Sequence, residues 1–158
     1  MLKSKNKKIS GILYLIIMLS VLTAVYSCEK KEPAVKPNPD EIMGKISISF
    51  PEISEPVFEL YTDEKNDPID FSKIEKYLIL KSKENPVAEV GIFKLYDKIN
   101  ADYVKKIAQA RILKMQGIYF SHISNDAEIR SYGNYVYYVS HSQKDKIFEI
   151  IENALRGV

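Results

Sequence analysis

The feature that most limits how this chain can fold is a run of 18 uncharged residues, positions 9–26, just before the only cysteine, Cys28. Four lysines (Lys3, Lys5, Lys7 and Lys8) precede the run. A basic head, an apolar body and a small residue at the end form the layout of an export signal. We therefore expect residues 1–27 to be a signal peptide. With a single cysteine, the rest of the chain has no internal disulfide and must be stabilised by packing.

The residues Val25-Tyr26-Ser27-Cys28 resemble the lipobox of bacterial lipoproteins. Ser27 is small and Val25 is aliphatic, as in that motif, whereas Tyr26 departs from it. The resemblance implies cleavage before Cys28 and a covalent diacylglycerol on its sulfur, with no other cofactor. The alternative is an uncleaved signal anchor, because the apolar run approaches the length that spans a bilayer. Both alternatives place the C-terminal part outside the cytoplasm, since the lysines precede the apolar run.

Removal of the signal changes the charge balance of the chain. Four of the 23 basic residues lie in the predicted signal and none of the 21 acidic ones do, which leaves 19 basic against 21 acidic residues, a net charge of −2. Nucleic-acid binding requires a concentrated positive field, so we expect no nucleic-acid partner. The same balance argues against strong electrostatic adhesion to anionic lipid.

Composition divides the remaining chain into two parts. Residues 28–42 are rich in charge and contain Pro33, Pro37 and Pro39, which favour an extended polyproline conformation and predict a tether. Residues 43–158 have the length and apolar content of one folded domain.

Alternation and β-favouring residues predict five strands in this domain. Residues 46–50 alternate apolar with polar side chains, and the other strands are predicted at residues 77–80, 87–95, 127–132 and 135–140. Residues 87–95 show little alternation, so we expect a central, well-covered strand, in which Gly91 marks a bulge or a close approach of another element. Gly133-Asn134 suits a two-residue hairpin turn.

Two amphipathic helices are also predicted. The first has Asn100 as its N-cap and is ended or weakened by Gly117, and Arg111 falls among its regularly spaced apolar residues. The second follows a sequence at Ser142 that resembles a capping box and ends at Gly157. The order strand-strand-helix occurs twice, which suggests a ββα duplication. We expect an α+β fold: a two-layer sandwich of an antiparallel sheet with two helices on one face.

Two segments carry a resemblance to a known family: residues 88–94 before the long helix and residues 133–137 before the last one. They resemble a family of Firmicutes lipoproteins that is described only as a domain of unknown function. The likeness covers residues 46–155 together with the lipobox. It implies a small extracytoplasmic lipoprotein and carries over no catalytic or binding residue. Glu89 and Lys94 are candidate binding residues in this motif, and the alternative is an exposed strand edge or a structural ion pair.

Tyrosine is concentrated in the last predicted hairpin. Tyr135 and Tyr137 share one face of a strand and Tyr138 takes the other, so one of these faces is a candidate aromatic patch for a protein or glycan. The alternative is ordinary strand composition, because tyrosine favours β-structure and tolerates half-burial.

No known catalytic motif is present, and we expect no catalytic residue and no metal site. Any imidazole chemistry would need His122 or His141, the only histidines. His122 lies near Asp126 and Glu128 in sequence, and a loop that folded back would bring His122, Asp126 and His141 together as metal ligands.

The sequence therefore predicts a membrane-anchored, noncatalytic module at the outer face of the cytoplasmic membrane, binding an envelope protein or a wall component. One alternative is a metal-dependent or acid-base envelope enzyme that uses His122 and His141. A second is a solute-binding lipoprotein, for which the domain is small.

Overall fold

Five strands form one open antiparallel sheet in the computed structural model, which describes residues 37–58, 60, 69–119 and 127–158. The strands are β1 (Ile53–Pro56), β2 (Ile74–Ser82), β3 (Glu89–Leu95), β4 (Ala127–Tyr132) and β5 (Tyr135–Ser140), in the spatial order β1-β2-β3-β5-β4. The helices are α1 (Pro39–Ser49), α2 (Ala101–Tyr119) and α3 (Lys144–Arg156). Short 3₁₀ turns occur at Phe71–Lys73 and Lys98–Asn100. The predicted α+β class and antiparallel sheet are confirmed.

The strand predicted at residues 87–95 lies at the centre of the sheet, as expected, where it forms β3. β3 pairs with β2 on one side and β5 on the other, and every residue of β5 is buried. β4 and β5 form the predicted hairpin, in which Gly133 takes the positive φ of 56° that the tight turn requires.

Helices cover both faces of the sheet. On one face, α1 and α3 pack against Val90, Ile92, Tyr135, Tyr137 and Val139. On the other, α2 packs against Phe93, Leu95, Val136 and Tyr138. One face thus carries two helices, but α2 lies on the opposite face from α3 and adds a third layer. β3 and β5 are apolar on both faces, so each face needs its own cover. The two strand-strand-helix units place their helices on opposite faces, unlike two equivalent copies of one unit.

The strand predicted at residues 46–50 is wrong, because this segment belongs to α1. The Asn38 side chain accepts a hydrogen bond from the Asp40 backbone N–H at 3.2 Å, and Pro39 occupies the first helical turn. An alternating strand would put Ile46 and Ile48 on the same face, yet Ile46 is fully buried and Ile48 is 82% exposed. The helical spacing of Ile42, Met43 and Ile46 decides the outcome, because it lets all three pack against the sheet.

The early start of α1 also shortens the predicted tether. α1 begins directly after the Asn38 cap, inside the segment 28–42 that composition assigned to the tether. Nine residues, positions 29–37, therefore separate Cys28 from the cap. Fully extended, they span at most about 35 Å.

The other helix ends differ in detail from the predictions. α2 starts directly after Asn100, the predicted N-cap residue, and Asp97 caps the 3₁₀ turn that precedes it, since its side chain accepts from the Ile99 N–H at 3.0 Å. α2 continues past Gly117 to Tyr119. α3 has no side-chain cap of its own, so the capping box at Ser142 is wrong. Its C-terminal Gly157 is confirmed in the left-handed conformation, with φ 73°. In the part of the chain that the structure describes, no helix combines the length and the apolar character needed to cross a bilayer.

Candidate functional site

The two ends of the sheet differ in chemistry. We call one the polar end: there β2 finishes at Ser82, β3 starts at Glu89 and β5 finishes at Ser140. We call the other the apolar end: there β2 starts at Ile74 and β3 finishes at Leu95. The buried polar and charged residues of the described segments belong to the polar end or reach it from α2: Ser82, Glu89, Arg111, Ser140 and His141. The polar end is therefore the candidate site.

Glu89 forms the centre of a buried cluster. Its carboxylate accepts two hydrogen bonds from the Arg111 guanidinium, from Nε at 2.6 Å and from Nη2 at 2.5 Å. The Tyr138 hydroxyl donates a further hydrogen bond to Glu89 Oε1. All three side chains are at most 4% exposed. Two of the predicted candidates, Glu89 and Tyr138, are thus brought together, and Arg111 completes the cluster.

Gly91 makes the cluster possible. It pairs with Tyr138 across β3 and β5, and a Cβ at position 91 would lie 2.1 Å from Tyr138 Cε1. Only glycine lets the tyrosine ring cross β3 and reach Glu89, two residues away. The predicted close approach at Gly91 is confirmed, and its partner is this ring.

The groups of the cluster stabilise one another's protonation states. Burial acts to lower the pKa of Arg111, but the interactions with Glu89 and Tyr138 together outweigh it and raise the pKa above its usual value. Burial and the charge of Glu89 together raise the pKa of Tyr138 well above its usual range. Arg111 therefore stays charged and Tyr138 stays a neutral donor across the physiological pH range. A bidentate pair of this kind fixes α2 to the sheet.

His141 lies on the other side of the sheet from this cluster. Its Nδ1 accepts from the Gln143 N–H at 3.0 Å, and its Nε2 lies 3.6 Å from Glu52 Oε1. The ring contacts Phe50 edge-on, at 5.5 Å between centroids. Phe50 belongs to the core under α1, whereas Glu89 lies under α2. The histidine therefore connects the end of β5 to the loop after α1.

The serines of the polar end also bind the backbone. Ser140 Oγ donates to the Val87 carbonyl at 2.7 Å, and Ser82 Oγ accepts from the backbone N–H groups of Glu84 and Asn85. Across the described segments, no buried side-chain nitrogen or oxygen lacks a hydrogen-bond partner. The polar groups of this end thus stabilise the loop between β2 and β3.

The predicted convergence of histidines and acids is only partly within the described residues. His122, Asp126 and Cys28 lie outside them. Glu128 is engaged elsewhere: Arg130 Nε donates to it at 2.7 Å, and this hydrogen bond lowers the pKa of Glu128. Among the residues described, no three His, Cys, Asp or Glu side chains are placed to hold a metal ion.

Lys94 has a structural partner as well. Its Nζ lies 2.5 Å from Glu75 Oε1 of the neighbouring strand. Glu89 and Lys94 thus both form ion pairs, in agreement with the structural alternative raised for them.

The surface patch predicted from the tyrosines is wrong. Tyr135, Tyr137 and Tyr138 are 3%, 2% and 0% exposed, because helices cover both faces of β5. Burial raises the pKa of Tyr135 and of Tyr137 to about 12. The Tyr135 hydroxyl donates to the Pro37 carbonyl at 2.6 Å, and the Tyr137 ring packs against Phe148.

Exposed apolar residues occur at several other places in the described segments, and three of them flank the apolar end. Phe71, Tyr96 and Ile99 are 53%, 66% and 82% exposed and occupy the segments that flank the paired ends of β2 and β3. Sequence reasoning missed them. The sequence feature that could have revealed them is the presence of large apolar residues in two short connections beside predicted strands. Polar residues are usual in such connections.

Comparisons of the chain with protein-family models, with curated proteins and with solved structures found no match.

Proposed function

We propose that this chain is a lipid-anchored extracytoplasmic protein, held at the outer face of the cytoplasmic membrane, whose folded part is a noncatalytic binding module of the cell envelope. The observation that carries the proposal is the lipobox-like sequence that ends at Cys28, only a short stretch of sequence before the fold. The cap at Asn38 follows the lipobox cysteine by ten residues, so a lipid on Cys28 would keep the domain close to the bilayer. Two acyl chains are sufficient for stable anchoring, at about 0.8 kcal/mol per buried methylene.

The contacts at the polar end support a noncatalytic role. Both oxygens of Glu89 accept hydrogen bonds from neighbouring side chains, and the Nδ1 atom of His141 accepts one from the backbone. A general acid or base must instead direct its titrating atom at a substrate. These groups stabilise the fold, so binding is left to the surface of the domain.

Mass spectrometry of the mature protein from its own cells tests the anchor. We expect the N-terminal residue to be Cys28 with a diacylglyceryl thioether, and the protein to float with membranes. Cys28→Ser is the control, and it should leave the leader uncleaved and abolish the lipid mass. An unmodified thiol, or an intact leader on the wild-type protein, would contradict the proposal.

Metal analysis of the same preparation tests the noncatalytic part. We expect no stoichiometric zinc or manganese. Bound metal that disappears in a His122→Ala His141→Ala variant would instead favour the envelope enzyme.

A further inference from the structure

Three exposed apolar residues, Phe71, Tyr96 and Ile99, lie on neighbouring segments at the apolar end. The Tyr96 N–H donates to the Lys73 carbonyl at 3.4 Å, which joins the segment after β3 to the 3₁₀ turn that contains Phe71. Ile99 follows in the next 3₁₀ turn. Phe71 stacks on Tyr77, with 6.1 Å between ring centroids, and Tyr77 stacks on the buried Phe93. Phe71 is therefore supported from the core by stacked rings.

The chain from Cys28 arrives at this same end. Tyr135, which holds the Pro37 carbonyl, is the first residue of β5 and pairs with Lys94, two residues before Tyr96. The first turn of α1 is fixed there too, by an ion pair between Asp40 and Lys76 near the start of β2. The apolar end is thus the part of the domain nearest to the point where the tether begins.

The lengths of the sheet and of the tether favour contact between the apolar end and a bilayer that holds Cys28. The polar end lies farther from that bilayer. β2 has nine residues, so the two ends of the sheet lie roughly 30 Å apart. The nine-residue tether between Cys28 and the Asn38 cap spans at most about 35 Å even when fully extended. A relaxed tether therefore keeps the apolar end at the membrane and the polar end directed away from it.

Acidic and basic residues lie side by side at the apolar end, where Asp97 precedes Lys98 in sequence and two ion pairs form. Lys73 lies 3.1 Å from Asp70 and Lys94 lies 2.5 Å from Glu75. Contact with a surface at this end therefore depends on apolar burial and depends little on salt or on the charge of the lipid.

We propose that the apolar end is a membrane-docking surface, in which Phe71, Tyr96 and Ile99 enter the interfacial layer of the bilayer. This inference rests on the lipid anchor proposed above. Tyrosine and phenylalanine rings favour the interface between headgroups and acyl chains. The three side chains expose on the order of a few hundred Å², well below the roughly 800 Å² per partner of a standard protein interface. A small patch suffices for lipid, because the tether holds it at a high effective concentration.

The absence of tryptophan from the sequence allows a single-residue test. Ile99→Trp places a reporter in the patch, and Ile48→Trp places one near the C-terminus of α1, toward the polar end. Both isoleucines are 82% exposed, so the two variants are matched in burial. Each lipidated protein is reconstituted into vesicles of phosphatidylethanolamine and phosphatidylglycerol that contain brominated lipid. Far-UV circular dichroism confirms that both variants fold.

For protein that floats with the vesicles, we expect the Ile99→Trp emission to shift to the blue and to lose most of its intensity. The Ile48→Trp emission should stay that of a solvated indole, and added salt should leave both results unchanged. Flotation without quenching at either position would overturn the docking surface while the anchor stands. Equal quenching at both positions would also overturn it, because the contact would not be specific to the apolar end.

Two further outcomes separate the proposals. Protein that carries no lipid and does not float would overturn the proposed function, and the docking surface with it. A contact of Ile99→Trp that occurs in native membranes and is absent from pure lipid vesicles would overturn docking on lipid in favour of a membrane protein.

Discussion

The polar end and the apolar end of the sheet differ in which side chains they bury. At the polar end, charged and polar groups are buried, and each of those described has a hydrogen-bond partner. At the apolar end, Phe71, Tyr96 and Ile99 stay in solvent although a core lies directly behind them. A buried polar group without a partner costs several kcal/mol, so the polar end tolerates little change. Exposed apolar groups cost the fold little, and a cluster of them marks a contact surface.

The comparison separates stability from function in this molecule. Residues of the polar end that attract attention by their chemistry serve the fold. Residues of the apolar end that contribute little to the fold form the proposed docking surface. The predictions below test this division, beginning with the largest expected effect.

Removal of the Arg111 guanidinium should damage the polar end most. In Arg111→Met, the Glu89 carboxylate would be left buried without its bidentate partner. We expect a loss of about 3–5 kcal/mol in the free energy of unfolding, measured by urea denaturation.

A matched variant shows whether that loss is due to the orphaned charge. In the triple variant Glu89→Leu Arg111→Met Tyr138→Phe, no member of the cluster is left without its partner, and most of the stability should return. A single Arg111→Met that unfolds within 1 kcal/mol of the wild type, on the order of an exposed pair, would refute the structural role assigned to the cluster.

Gly91→Ala should produce the next largest effect. The new Cβ would overlap the Tyr138 ring, which is fixed by Glu89 and by helix packing, so we expect a loss of about 1–3 kcal/mol. Gly44→Ala and Gly117→Ala are the controls, since both glycines lie in helices with no atom within 4 Å of an added Cβ. These two should stabilise the protein by about 0.5–1 kcal/mol. Equal effects at all three positions would remove the special role of Gly91.

Alkaline pH should unfold the domain through β5, which joins the two ends. The pKa of Tyr137 is raised from 10.0 in the unfolded chain to about 12 in the fold. A raised pKa contributes stability that is complete below pH 10 and is lost as the pH rises toward 12. We expect tyrosinate absorbance and loss of far-UV circular dichroism to appear together in this window. Normal tyrosine titration near pH 10 in a protein that stays folded would contradict the burial of these rings.

Tyr135→Phe should have the smallest effect, about 1 kcal/mol, because it removes one hydrogen bond to the half-buried Pro37 carbonyl. Hydrogen exchange should increase in the first turn of α1 and remain unchanged in β4. Tyr96→Phe, which alters an exposed ring, is the control and should leave unfolding and exchange as in the wild type. Unaltered exchange in Tyr135→Phe would mean that the tyrosine does not fix the start of the fold.

Most elements of the fold were predictable from local pattern, but their placement was not. The four strands from β2 to β5 and the two long helices follow from alternation, β-favouring residues and helical spacing. α1 was missed because Ile46-Ser47-Ile48-Ser49 satisfies the period of a strand as well as part of a helix. Asn38 and Pro39 signalled the correct start, but the proline-rich composition around them predicted a tether. Which face each helix covers depends on contacts between distant elements, which a local pattern does not encode.

The candidate site was predictable in part. Arg111 occupies a position in the apolar stripe of its helix, and Glu89 opens a strand that is otherwise apolar. Two charges of opposite sign at predicted core positions indicate a buried ion pair, although the sequence does not state which partners meet. The exposure of the tyrosines was predicted wrongly because only one face of the sheet was expected to be covered.

The hydrogen bond from Tyr135 to Pro37 has a mechanical consequence. If the proposed lipid anchor holds the N-terminal end of the chain, tension on that end would act first on this bond and on α1, which packs on the sheet and is not one of its strands. We therefore expect α1 to detach from the sheet at a lower force than the one that separates the strands. Under such tension α1 would detach first. The Glu89 cluster would still hold α2 on the sheet.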